Sequence, residues 1–157
     1  MNDTPSPDDR ALSIPDAADG HRRMLAWALL LLGGRYVTAA AMRVTDPAIA
    51  ELLGWGEIVL ALAAVGLIVP IFVWKVRNRS SPDWSLYRDP DGFVAEALVR
   101  AQGASWTALF LTLITFEVVA GRVEWLSPGM VLEAVLAAML VSFSIAFLYL
   151  DRDPGDA

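Results

Sequence analysis

Four charged side chains, Arg35, Glu57, Glu117 and Glu133, sit inside runs of sequence that are otherwise apolar. Ionisable groups within a bilayer are costly and default to functional candidates. One guanidinium beside three carboxyls could do three kinds of chemistry. Carboxyls that keep their protons would serve as a proton relay. A cation drawn to the acidic excess would make an ion site; glutamate oxygens suit a hard cation, although no spacing motif marks a dedicated metal cage. Water reaching the layer would make it the mouth of an aqueous cavity. The plainer alternative is that Arg35 pairs with one glutamate for packing specificity, while the other two tip toward water at the helix ends.

Depth decides whether these groups can meet. At about 1.5 Å rise per residue, Glu57 lies about 5 Å inside the end of its helix, and Glu117 and Glu133 about 8 Å inside theirs. The Arg35 backbone is roughly 12 Å below Arg43 on the same scale, and its side chain can snorkel back by several ångströms. All four therefore fall in one layer near one membrane face. Arg35 is expected to be held by at least one of Glu57, Glu117 and Glu133, with Glu117 the first choice because it sits on the neighbouring hairpin at nearly the depth a snorkelling guanidinium reaches.

Absences narrow the chemistry further. The chain has no cysteine, so thiolate nucleophiles, disulfides and iron–sulfur ligation are excluded. Its one histidine, His21, lies outside the apolar runs, which excludes a membrane haem held by two histidines of a single chain. No His–Asp pair or metal motif is present, so no enzyme activity and no cofactor are expected. A net charge of −6 without a basic stripe argues against nucleic acid as a partner.

The elements that must position these residues are four apolar stretches, 24–42, 53–74, 104–121 and 130–150. Each is near the roughly 20 residues that cross a bilayer. The 157-residue chain is 56% hydrophobic with a mean hydropathy of +0.50, and the runs are apolar on all sides, which makes lipid their natural solvent. The expected fold is all-α: a polytopic membrane protein whose four transmembrane helices form an up-down bundle of two hairpins. Residues 1–20, rich in Asp, Pro and Ser, read as a disordered tail, 21–152 as the membrane domain, and 153–157 as a second short tail. A cleaved signal is the weaker reading of the first run, since its leader is long and acidic and Arg35 interrupts it.

Local signals bound the helices. Asp46-Pro47 starts the second, Pro70 is expected to kink it, and Ser127-Pro128-Gly129 precedes the fourth. Turns are expected at Ser81-Pro82-Asp83 and Asp89-Pro90. Glu96 and Arg100 form an i,i+4 pair at the start of the third helix. Thr107, Thr112, Thr115, Ser142 and Ser144 are expected to bond to carbonyls one turn back. The two hairpins share an outline, with Glu57 and Glu133 in matching places, but residue-level identity is too poor to favour a true repeat.

Lysine and arginine set the orientation. Arg10, Arg22, Arg23, Lys75, Arg77, Arg79, Arg88, Arg100 and Arg152 lie on one side; Arg35, Arg43 and Arg122 lie on or toward the other. Trp27, Trp74, Trp106 and Tyr149 form a belt on the first side, Trp55 and Trp125 on the second. Both termini are therefore expected in the cytoplasm, with the chain in the plasma membrane of a bacterium, the inner membrane.

Ala134, Ala138, Ser142 and Ala146 form a small-residue stripe along the fourth span, with Gly33, Gly34 and Thr38 as a similar patch on the first. Small residues let membrane helices approach closely. Three functions follow in order of preference. The first is a non-enzymatic accessory, assembly or sensory subunit that packs against other membrane proteins, as a homo-oligomer or within a larger membrane complex. The second is a small oligomeric transporter or channel that uses the Arg/Glu layer for protons or cations. The third is a lipid-modifying membrane enzyme, with only carboxylates and Arg35 as agents.

Overall fold

A computed structural model describes residues 14–78, 92–120, 122–123 and 126–151. Four helices make up nearly all of it: α1 (Ile14–Met42), α2 (Pro47–Asn78), α3 (Gly92–Ala120) and α4 (Pro128–Leu150). All four are long and apolar enough to cross a membrane, and no strand occurs among the described residues. Their 23 to 32 residues correspond to about 35–48 Å, more than the roughly 30 Å hydrocarbon thickness. The turn signals expected within 79–91, residue 152 and the C-terminal tail 153–157 lie outside the described residues.

Helix ends follow the local chemistry. α1 begins at Ile14, so residues 14–20 are helical and do not belong to the disordered tail expected there. Pro15 occupies the first turn, where a missing N–H costs nothing. Asp19 accepts from Arg22 one turn on, at 2.7 Å. α2 starts at Pro47, with the Asp46 carbonyl accepting from Ala50 N–H at 2.9 Å. It then runs through Pro70 as one helix. Ser127 caps α4: its backbone is extended and its hydroxyl accepts from Met130 N–H at 3.2 Å, with Pro128 at the first helical position.

The helices are arranged as a row. α1 packs against α2 on one side and α4 on the other, and α4 packs against α3, which leaves α2 and α3 at the two ends. A closed square bundle would need a fourth packed face between α2 and α3, and none of comparable extent is present among the described residues. The central position of α1 follows from two adjacent glycines. Successive residues on a helix point about 100° apart, so Gly33 and Gly34 address different neighbours. A Cβ at Gly33 would meet Val141 Cγ2 of α4 at 2.6 Å; one at Gly34 would meet Leu60 Cδ1 of α2 at 3.6 Å.

Three contacts in register hold α1 and α4 antiparallel. Arg23 meets Asp151 at one end, Gly33 meets Val141 midway, and Arg43 meets Glu133 at the other end. The α3–α4 seam is closed by Ala97 and Ala101 of α3, which with Ala26 of α1 surround the buried Phe147 ring of α4. Alanine is the residue that fits here, because three backbones must come close around one aromatic side chain. A hydrogen bond crosses the same seam: the buried Ser105 hydroxyl donates to the Met139 carbonyl at 3.0 Å.

Candidate functional site

Charged residues gather at the end of the row that carries the short α1–α2 loop. Arg35 and Arg43 are eight residues apart, so they point about 80° apart around the α1 axis. That rotation aims Arg35 at α2 and Arg43 at α4. Arg35 Nη2 lies 2.5 Å from Glu57 Oε1, and the guanidinium sits 5.1 Å from the centre of the Tyr36 ring, within cation–π range. Arg43, just past the last residue of α1, forms a two-pronged fork on Glu133: Nε donates to Oε2 at 2.8 Å and Nη2 to Oε1 at 2.6 Å. The hydrogen bond and the charge of Glu133 hold the Arg43 guanidinium above its ordinary pKa.

These groups line two open clefts that share Arg35 and Glu57. One, of about 630 Å³, lies between α1, α2 and the start of α4, and is bounded by Arg35, Tyr36, Arg43, Glu57 and Glu133 with an apolar remainder that includes Leu132 and Leu136. The other, of about 530 Å³, opens on the α2 side past Glu51, Trp55 and Leu62. The four ionic side chains are neither sealed nor free: Glu57 and Glu133 are 21% and 18% exposed, Arg35 and Arg43 34% and 47%.

Of the four expected cluster members, the structure brings together Arg35, Glu57 and Glu133 and leaves Glu117 out. Glu117 is exposed on α3, which packs against α4 and occupies the far end of the row from α2. Arg35 is thus held by one of its three expected partners, Glu57, and not by the first choice, Glu117. Equal depth is necessary for a pair, but lateral neighbourhood selects it, and depth alone carries no information about neighbours. Arg43 is the member that the four-residue expectation omits. Its signal was available: Arg43 ends one helix and Glu133 lies one turn into another on the same side.

The substitution of Arg43 for Glu117 changes the charge balance. One positive and three negative groups become two and two. An acidic excess would call for retained protons, a cation or water; two ion pairs require none of these. Among the described residues, no three metal-capable side chains converge.

The small-residue stripe is only half-buried at Ala134, Ala138 and Ser142, and Ala146 packs against the Phe147 cluster. The fully covered small residues of α4 are Ala137 and Ser144 instead. A four-residue step advances about 40° around a helix, so the stripe winds off any one face, whereas the seven-residue step from 137 to 144 stays within about 20°. Thr107, Thr112, Thr115, Ser142 and Ser144 each donate to the carbonyl four residues back, at 2.6–2.9 Å. Arg100 and Glu96 pair at 2.5 Å.

Comparison of the chain with family models, with curated proteins and with solved structures gives no match.

Proposed function

We propose that this chain is a non-enzymatic integral membrane subunit, held in a bacterial inner membrane with both termini cytoplasmic, that packs against other membrane proteins. The observation that carries the reading is the pairing of charges in the membrane layer. Arg35 with Glu57 and Arg43 with Glu133 join α1 to α2 and α1 to α4. Charged residues used in this way fix which helices are neighbours and in which register. The outward surface left over is apolar. Leu62 and Phe72 on α2, and Phe110 and Ile114 on α3, are all exposed at the ends of the row.

The orientation rests on the arginine and lysine asymmetry. The half-exposed Trp27 and the exposed Tyr149 lie near the Arg23–Asp151 end, as interfacial aromatics do.

A photo-crosslinking residue placed at Leu62 and at Phe110, with the buried Ala101 as control, tests the reading in intact membranes. Discrete protein adducts are expected at one or both exposed positions and not at Ala101. Lipid adducts alone at both positions would refute it.

The second reading, a small oligomeric transporter or channel handling protons or cations, is favoured by the clefts beside the ion pairs. Purified protein in liposomes would then dissipate an imposed proton or potassium gradient. Under the preferred reading, the gradient decays as in empty liposomes.

A further inference from the structure

We propose that the 630 Å³ cleft between α1, α2 and α4 is a binding site for the headgroup of a zwitterionic phospholipid bearing a primary ammonium. Position is the first argument. The cleft opens beside the last turns of α1 and the first turns of α4; on the membrane placement proposed above, such helix ends lie where hydrocarbon gives way to headgroups. Arg43 stands one residue beyond α1 and Arg35 two turns deeper. The polar wall thus begins at the interface, and the exposed Leu132 and half-buried Leu136 form an apolar wall beside it. A lipid enters such a cleft sideways, with its first acyl carbons against the leucines and its headgroup against the charges.

Charge is the second argument. The wall carries two guanidiniums and two carboxylates. A ligand that is only an anion would gain the arginines and be repelled by the glutamates; a simple cation meets the reverse. A headgroup carrying both a phosphate and an ammonium can bond to all four without leaving any of them unpaired. With the two ion pairs intact, the guanidinium N–H groups they leave over can donate to phosphate oxygens, and the carboxylates' remaining lone pairs can accept from the three donors of a primary ammonium. A quaternary ammonium offers no N–H and is instead recognised by an aromatic cage. Among the described residues lining this cleft, Tyr36 is the one aromatic, and its ring already lies against Arg35. Ethanolamine is thereby preferred to choline.

The test is native mass spectrometry of the full chain released from detergent with phosphatidylethanolamine, phosphatidylcholine and phosphatidylglycerol of identical acyl chains. Phosphatidylethanolamine adducts should exceed phosphatidylcholine adducts by about tenfold, the effect of roughly one charge-assisted hydrogen bond. Glu57→Gln leaves the wall with one extra positive charge, so the preference should move from phosphatidylethanolamine toward phosphatidylglycerol. Glu133→Gln should move it the same way, which guards against one of the two variants failing to fold. Leu132→Trp fills the cleft without touching a charge and should reduce phosphatidylethanolamine adducts to the level of phosphatidylcholine. Three results would each overturn the proposal: equal retention of the three lipids, an unchanged lipid ratio in both glutamine variants, or equally strong binding of soluble glycerophosphoethanolamine, which has no acyl chains.

Discussion

Gly33→Ala asks whether the α1–α4 seam is set by backbone approach. The added methyl would lie 2.6 Å from Val141 Cγ2, 3.2 Å from Val141 N and 3.4 Å from Leu140 Cβ. Valine in a helix has one dominant rotamer, so Cγ2 cannot swing aside, and the backbone nitrogen behind it cannot move without its helix. Forced overpacking of this kind costs about 1–3 kcal/mol. Alanine also stabilises a helix by about 1 kcal/mol relative to glycine, which offsets part of that cost. Gly34→Ala is the internal control. It has the same helix and the same gain, but its methyl would meet only Leu60 Cδ1 at 3.6 Å, an ordinary contact. The difference between the two variants therefore isolates the clash, and Gly33→Ala should be less stable than Gly34→Ala by about 1–3 kcal/mol. Unfolding by sodium dodecyl sulfate titration in mixed micelles, followed by helical circular dichroism, measures the difference. Val141→Ala removes the nearest atom and should restore part of the loss in Gly33→Ala, a coupling of about 0.5 kcal/mol or more. Equal stability of the two single variants would show that α1 and α4 are not held at this distance.

The ion pair predicts non-additivity: Arg35→Leu should lower the thermal midpoint in detergent by leaving Glu57 uncompensated, and Arg35→Leu with Glu57→Gln should recover part of it, while adding Glu117→Gln instead should recover nothing. Ser105→Ala removes the hydrogen bond from α3 to the Met139 carbonyl of α4 and should cost about 1 kcal/mol in the same micelle titration. Ala137→Leu should destabilise more than Ala138→Leu, since Ala137 is covered and Ala138 only half-buried; the reverse order of thermal midpoints would put the packed face elsewhere. Reporter fusions after Gly155 and within the loop at Asp46 should report opposite sides of the membrane, with the Gly155 fusion cytoplasmic; a periplasmic signal there would overturn the orientation.

Spans were legible in the sequence because a bilayer imposes a one-dimensional test. A helix either offers enough apolar length or it does not, and α1, α2 and α4 each contain one of the four apolar runs while α3 holds 104–120 of the third. Local chemistry was equally readable. Pro47 and Pro128 start helices, Ser127 caps one, and the threonines and serines bond within their own turns, since each of these depends on residues no more than four apart. Helix order around the site was not readable. Hydropathy and depth locate a residue along the membrane normal and leave its sideways position open. By depth Glu117 stood ahead of Glu57, and the placement of α1 between α2 and α4 reverses that order. That placement comes from Gly33 and Gly34 letting two different backbones come close, and from alanines meeting around Phe147. The sequence by itself determined that arginines and glutamates would interrupt the apolar runs. Tertiary structure decided which of them pair, because a pair needs a few ångströms of lateral contact, and close packing between helices supplies that contact.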